Sequence, residues 1–377
     1  MSGSSSDGRR DVVVVGAGLA GAATAAVLAR RGLSVSVVDP FAEFPALFRA
    51  EKIEPHQAAQ FRELGLFEGV EPATRLIKEI IHGVNGRVVY RRKIEQFGIS
   101  YRDIVNCVRA QMPPQVDFRP TRVESISSDP LRPSVQLTDG TRIASRLVVV
   151  ASGMLGDLPE RLGMVKGIVK ANLSLVFGFM LERADGQEFA FDAVTYKPRS
   201  TSERIGYLTL FRMGRFMRAN LFTYLAPRDP VVREMLREPV EVLERVLPGL
   251  EALIGRYDVA GKVEVFNIDL YRMQDCLVPA VVLLGDAFQS VCPSTGMGLS
   301  KVLTDVNVLC NACLPGWLEG GSVGPEQLAL FYAHPDKTAI DDRALRKALE
   351  GRDSVLDNGM YWRLRRRVKA WRFASGW

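Results

Sequence analysis

Histidine is the scarcest residue type in this 377-residue chain, with only His56, His82 and His334 present. None stands at metal-ligand spacing from another, so no metal centre is expected. No Ser/His/Asp set presents itself as a triad either. The five cysteines (Cys107, Cys276, Cys292, Cys310, Cys313) are an odd number in a long chain, so no disulfide framework is implied. Cys310 and Cys313 have C-x-x-C spacing, but on an expected helix without a second pair, which reads as core packing rather than zinc. No apolar run reaches the roughly 18 residues of a membrane span. Residues 1–10 are Ser/Gly-rich, lack the apolar stretch of a secretory signal and read as a disordered leader. A cytoplasmic location is the expectation. Acid is absent from residues 361–377, where Arg363, Arg365, Arg366, Arg367, Lys369 and Arg372 alternate with Trp362, Trp371 and Trp377. Such a segment either lies peripherally on the anionic inner face of a membrane or packs as a closing helix with its arginines in water. No nucleic-acid reader motif accompanies this charge, so no nucleic acid is expected as partner.

What is present is ordinary globular material: 47% hydrophobic, 24% charged, net charge +6. The length suits two interleaved domains. Residues 12–15 are four valines, the signature of a strand buried on both faces. An alanine-rich helix is expected at 19–31, stopped by Gly32, and a second strand at 35–39, completing a βαβ unit. Helices are expected at 55–64 and 101–112, and a hairpin turn at Asp139-Gly140 between strands 135–137 and 142–143. Residues 147–151 return as a buried strand. Segments 75–81, 87–90, 173–181, 188–196, 205–211, 215–224 and 263–270 read as antiparallel strands. One helix is expected over 229–246. Residues 281–284 restore the buried parallel pattern, followed by helices at 298–313, 325–332 and 341–372.

Gly16-Ala17-Gly18-Leu19-Ala20-Gly21 is G-x-G-x-x-G between a strand and a helix. Gly16 permits the tight turn, Gly18 lets a pyrophosphate approach the backbone, and Gly21 lets the helix pack on the strand. Leu19 and Ala20 open the helix, whose N-terminus offers free N–H groups to phosphate. Asp39 ends the second strand, where a carboxylate accepts from a ribose hydroxyl. Far downstream, residues 281–284 run into Gly285-Asp286 and then Pro293-Ser294-Thr295-Gly296-Met297-Gly298. Asp286 therefore sits at a strand's C-terminal edge, and a second helix N-terminus points into the same crevice.

With these two motifs in this order, the chain resembles the single-component FAD-dependent aromatic hydroxylases, the para-hydroxybenzoate hydroxylase-like family. The resemblance implies an α/β fold: a Rossmann-like FAD-binding domain (11–74, 98–165 and 271–325) with an inserted antiparallel β-sheet substrate domain (75–97 and 166–270), and C-terminal helices at 326–377. It implies that Gly285 and Asp286 meet the FAD ribityl chain, and that Pro293, Gly296, Met297 and Gly298 border the flavin ring. Phe48-Arg49-Ala50 and Phe61-Arg62-Glu63-Leu64-Gly65-Leu66 are similar to the family's arginine segment and the helix after it. By that match Arg49 contacts the FAD phosphates, with Glu51 and Lys52 near the ring. Arg102 resembles a second FAD-contacting arginine. Glu51, Lys52 and His56 are the candidates for action on substrate, and Cys292 would lie close to the flavin.

The implied reaction is hydroxylation of a small aromatic or otherwise electron-rich substrate through a flavin C4a-hydroperoxide, with O2 as oxidant and NADH or NADPH as donor. A substrate that is lipophilic or carrier-bound fits the basic terminus. The chain departs from the family pattern at three places: Val150-Ala151-Ser152-Gly153 has Ser152 where the family has aspartate, Met297 replaces Gln, and Ser300 replaces Asn. Ser152 bears directly on nicotinamide use. A related flavoenzyme (a lipid double-bond reductase or a halogenase) and a non-catalytic flavin-binding partner protein are the alternatives. The chain lacks the G-W-x-W-x-I-P signature of flavin halogenases.

Overall fold

The computed structural model describes residues 8–47, 49, 52–154, 156–319 and 323–366. Glu51, the leader up to residue 7, and the arginines, lysine and tryptophans beyond 366 lie outside the described residues.

The four valines are buried because their strand, Arg10–Val15, has a neighbour on each side. Val35–Val38 pairs with it in parallel on one side and Arg142–Val150 on the other. Asp117–Arg119 extends the sheet beyond Val35–Val38, and Val281–Leu283 extends it beyond Arg142–Val150, both parallel. Five parallel strands result. The first half of Arg142–Val150 also pairs with Ser134–Leu137, which pairs in turn with Val123–Ser127, both antiparallel. Eleven of the twelve residues of helix Leu19–Arg30 are buried on this sheet, packed with Tyr101–Arg109 and Gly298–Asn307 in one apolar core. Short alanine side chains allow that depth.

A second, eight-stranded sheet runs Tyr257–Gln274, Val165–Arg183, Phe216–Thr223, Ile205–Met213, Ala193–Lys197, Arg75–Val84, Arg87–Gly98, Lys52–Ile53. All neighbours are antiparallel except Ala193–Lys197 with Arg75–Val84. Helices Pro230–Arg237, Pro239–Val246 and Leu250–Ile254 cover one face through a core containing Phe177, Leu208, Leu221 and Leu243. The opposite face meets the bend after Val281–Leu283, with Phe222, Cys292 and Ala348 in one cluster.

Several elements differ from the sequence expectation. The helix expected over 229–246 is two, because Pro239 excludes helical backbone at Glu238 (φ −133°, ψ 59°). The strand expected at 188–196 is confined to Ala193–Lys197. Those expected at 173–181 and 263–270 are far longer, 19 and 18 residues, because they pair with each other well beyond their apolar stretches. The helix expected at 298–313 passes through a π-helical segment, Val308–Cys313, which buries both Cys310 and Cys313. The long helix expected at 341–372 starts at Pro335 and stops at Leu356. Residues 360–366 are helical again and leave Met360, Tyr361 and Leu364 exposed. Among the described residues no helix is long and apolar enough to cross a membrane, and no cluster of three or more metal-ligating side chains occurs.

Gly21 carries the tightest approach in the fold: a Cβ there would lie 1.8 Å from the Gly16 carbonyl oxygen. Gly21→Ala is expected to lose about 1–3 kcal/mol of unfolding free energy in a denaturant titration. Gly298→Ala, where no atom lies within 4 Å of the added carbon, is expected to lose none. Equal stability of the two variants would contradict this account of the helix–strand contact.

Candidate functional site

The first bend is built by close backbone packing. Gly16 has φ +95°, and a Cβ on it would sit 2.5 Å from the Ala151 carbonyl oxygen, so the turn admits only glycine. Gly18 is different: the nearest atom to its missing Cβ is Phe44 Cε2 at 4.0 Å, leaving an open approach. The helix that begins at Leu19 has no side-chain cap. Asp39 braces the bend from the next strand, its Oδ2 accepting from the Ala17 N–H at 2.7 Å and its Oδ1 from the Phe41 N–H at 2.9 Å. Arg109 Nη2 lies 3.2 Å from Asp39 Oδ1, and its Nε donates to the Ala17 carbonyl at 2.7 Å. Burial pulls the Arg109 pKa down, and Asp39 only partly opposes it. A cavity of about 560 Å3 opens beside this pair, lined by Ala42, Asn106, Arg109, Met112 and Phe118 among others. Arg102, nearly half exposed, pairs with Glu43, which lines this cavity.

The second bend arrives at the first. Gly285 (φ +60°) follows strand Val281–Leu283, and its missing Cβ would touch Ala20 Cβ at 3.5 Å and Val302 Cγ2 at 3.3 Å. Asp286 Oδ2 then takes a hydrogen bond from Arg49 Nη1 at 3.0 Å, and the Asp286 carbonyl accepts from the Tyr271 hydroxyl at 2.5 Å. Arg49 lies 5.6 Å from the Tyr101 ring centre. Burial alone would lower the Arg49 pKa, but Asp286, Tyr101 and Tyr271 together outweigh it and raise it. Burial raises the pKa of the Tyr101 hydroxyl, against a smaller lowering by Arg49 and by the backbone of Leu19, the first residue of the glycine-loop helix. Gly18, Leu19, Ala20, Arg49, Gly285 and Asp286 thus share one locus.

Pro293–Thr295 forms a 3-10 turn and Gly296 has φ +67°. The helix from Gly298 starts at a buried Met297 without a side-chain cap. Beside this bend Gln57 Nε2 donates to the Gly296 carbonyl at 3.1 Å and to Ser300 Oγ at 3.2 Å. His56 Nε2 is 3.0 Å from the same hydroxyl, and its Nδ1 is 3.6 Å from Glu54 Oε2. Lys52 Nζ donates to Glu54 Oε1 at 2.8 Å and lies 5.4 Å from the Phe211 ring centre. Desolvation raises the Glu54 pKa, but Lys52, His56 and Arg92 outweigh it and hold the carboxyl below its usual range.

Over this bend lies the face of the second sheet turned away from the three short helices, on part of which helix Pro335–Leu356 packs through Leu345, Ala348 and Leu349. Tyr207, on that face, donates its hydroxyl to the Ser294 carbonyl at 2.6 Å. Strand register lines up Tyr207, Phe222 and Val176 as one row. The adjoining row is His82, Thr195, Thr209, Asn220 and Gly178. Asn220 Nδ2 donates to Thr209 Oγ1 at 3.3 Å. His82 stacks on Tyr90, ring centres 4.2 Å apart. Burial, then Lys197 and Arg92, push its pKa down to about 4.

Sequence reasoning missed Tyr101, Arg109, Glu54, Gln57 and Asn220. Glu54 and Gln57 carried a legible signal, an acid before Pro55 with Gln three residues on, which is a capping box. Arg109 and Tyr101 carried none, since their roles depend on the approach of another segment.

The arrangement fits FAD. Each of the two bends opens an uncapped helix N-terminus, the glycines at those openings (Gly18 and Gly298) have no other atom closer than 4.0 Å to an added Cβ, and Asp39 and Asp286 stand at strand ends.

The family model described as "FAD binding domain" matches residues 9–315. No curated protein matches the chain. Among solved structures, p-nitrophenol 4-monooxygenase PnpA from Pseudomonas putida DLL-E4 is similar at 18% identity and TM-score 0.75, covering 98% of this chain and 94% of that one. PqsL from P. aeruginosa, in complex with 2-aminobenzoylacetate, is similar at 20% identity and TM-score 0.72, covering 93% of this chain and 100% of that one. Aklavinone-11 hydroxylase with FAD and aklavinone is similar at 20% identity and TM-score 0.72, covering 90% and 68%. These likenesses establish the fold.

Removing the Asp286 carboxylate is expected to cost about 1.5–3 kcal/mol of FAD binding, roughly a 10–100-fold rise in Kd by flavin fluorescence titration. In a double-mutant cycle Asp286→Ala and Arg49→Ala are expected to be non-additive, because the two groups pair. An unchanged Kd in Asp286→Ala would remove that residue from the cofactor site. A second expectation concerns pH. The His82 pKa is lower folded than unfolded, so the unfolded chain binds a proton that the native one refuses between pH 6.5 and about 4. Stability is expected to fall as pH drops through that window, and His82→Gln is expected to flatten the slope of Tm against pH.

Proposed function

The chain belongs to the FAD binding domain family, as a FAD-dependent oxidoreductase, and we propose that it is a monooxygenase hydroxylating a small aromatic or otherwise electron-rich substrate, with NADH or NADPH as electron donor and O2 as oxidant. One observation carries the reading. The sheet face turned away from the three short helices brings an aromatic row, partly covered by helix Pro335–Leu356, and a polar row over the Gly296–Gly298 bend, where the ring of the cofactor is expected. A flat substrate finds apolar contact on Tyr207 and Phe222. Its polar substituents find donors and acceptors on Thr209 and Asn220.

FAD, when bound, supplies the electron transfer to O2 and the delivery of one oxygen atom to substrate carbon. The chain's own groups do the rest. The glycine bends and Asp39 would hold the dinucleotide beside the 560 Å3 cavity that Asn106 and Arg109 line. Lys52 places a cation over the Phe211 ring, toward which an acidic substrate hydroxyl is drawn. Glu54, kept ionised by Lys52, would accept the proton given up by the substrate hydroxyl and hand it on to His56 Nδ1, and His56 is exposed enough to release it to water. The apolar row excludes water from the reacting carbon.

The purified protein is expected to be yellow and to consume NADH or NADPH and O2 in step with hydroxylated product when offered phenols or aminobenzoyl compounds. Asn220→Leu is expected to raise KM about 10–100-fold with a smaller loss in kcat, since a buried hydrogen-bond partner is lost. Anaerobic turnover to a product that has gained hydrogen, with no oxygen incorporated from labelled O2, would refute monooxygenation. Failure of both NADH and NADPH to reduce the flavin would refute the donor.

A further inference from the structure

Behind Asp286 four charged side chains, each 5% exposed or less, form a closed ring. Lys301 Nζ is 2.8 Å from Asp305 Oδ2, and Lys337 Nζ is 2.9 Å from Asp305 Oδ1 and 3.0 Å from Asp341 Oδ2. Lys301 Nζ closes the ring at 3.3 Å from Asp341 Oδ1. Lys337 also faces the Phe288 ring at 4.1 Å from its centre. Two cations balance two anions, as a dry interior demands. The ring is not self-contained. Asp305 Oδ2 accepts from the Gly285 N–H at 2.9 Å, and Lys301 Nζ donates to the Gly285 carbonyl at 3.2 Å. Both polar groups of the residue before Asp286 are therefore held by the ring. Half of the ring comes from helix Pro335–Leu356, whose Lys337 is fully buried and cannot touch a ligand. That helix is tied to the same bend again, where Gln289 Nε2 donates to the Asp341 carbonyl at 3.0 Å.

We propose that Lys337 and Asp341 are positioning residues of the cofactor site: through the ring they hold Gly285, and with it Asp286, so FAD affinity depends on the docking of the C-terminal helix. The inference rests on the placement of Asp286 at FAD and is independent of the reaction catalysed. Without Lys337 the remaining ring carries an uncompensated negative charge on the helix whose N-terminus meets the cofactor. Without the Asp341 charge it carries a positive one.

Three measurements test this. In the unaltered protein, amide exchange is compared with and without FAD. Residues 283–290 and 335–345 are both expected to slow with FAD, and unchanged exchange in 335–345 overturns the proposal without any variant. Lys337→Met is expected to raise the FAD Kd at least tenfold, and a Kd within twofold of the unaltered protein overturns it. The flavin midpoint potential is expected to move down in Lys337→Met and up in Asp341→Asn. A merely structural loss gives no such opposite signs, and shifts of one sign overturn the electrostatic part. Asp286→Ala is the reference. If it leaves FAD affinity untouched, the site assignment itself fails. If it weakens FAD while Lys337→Met does not, only this proposal fails.

Discussion

Gly285 against Ala20 is the contact on which the site depends. Two bends separated by more than 260 residues become neighbours because their strands, Arg10–Val15 and Val281–Leu283, both pair with Arg142–Val150 and point the same way. Parallel strands release their chain at one edge of the sheet, and everything leaving that edge competes for the same space. A side chain at position 285 would press on Ala20 and Val302, and the left-handed backbone there strains any residue but glycine. With the bends in contact, Arg49 reaches both Asp286 and the Tyr101 ring. Separated by a few ångströms more, each bend would be an ordinary turn.

How much of this was legible follows from how local each signal is. The glycine turn, its flanking strands and Asp39 are set by neighbours in sequence, and the structure puts them in a βαβ unit as expected. Pro239 breaks a helix that amphipathic periodicity alone extended across it, and Pro335 opens one six residues before the apolar pattern suggested. The long strands Val165–Arg183 and Tyr257–Gln274 were invisible in their polar halves, because the pairing that makes them strands lies in a partner about 90 residues away. The buried ring is the sharpest case. Lys301 with Asp305, and Lys337 with Asp341, have i,i+4 spacing, the pattern of a solvated ion pair on any helix surface. Nothing local distinguishes them from such pairs. Only the face-to-face packing of two helices removes their water.

Charge at the site is organised by the same logic. Each acid there has a basic partner: Asp39 has Arg109, Asp286 has Arg49, and Glu54 has Lys52. Behind them the ring is balanced two against two. Side chains therefore add little net charge, and the remaining bias comes from the backbone, through two helix N-termini that no side chain caps. A dipole fixed in a packed helix needs no reorganisation when a ligand arrives, whereas a free arginine must be desolvated and ordered. The two N-termini also stand at different places along the crevice, one at the glycine turn and one at Gly298. An extended ligand with one anionic group in its middle and a second electron-rich group at its end satisfies both in a single orientation. That demand selects a dinucleotide with a redox-active ring over a simple nucleotide, and it is written in backbone geometry that side-chain substitution around the rim, including Ser152 for the family's aspartate, leaves in place.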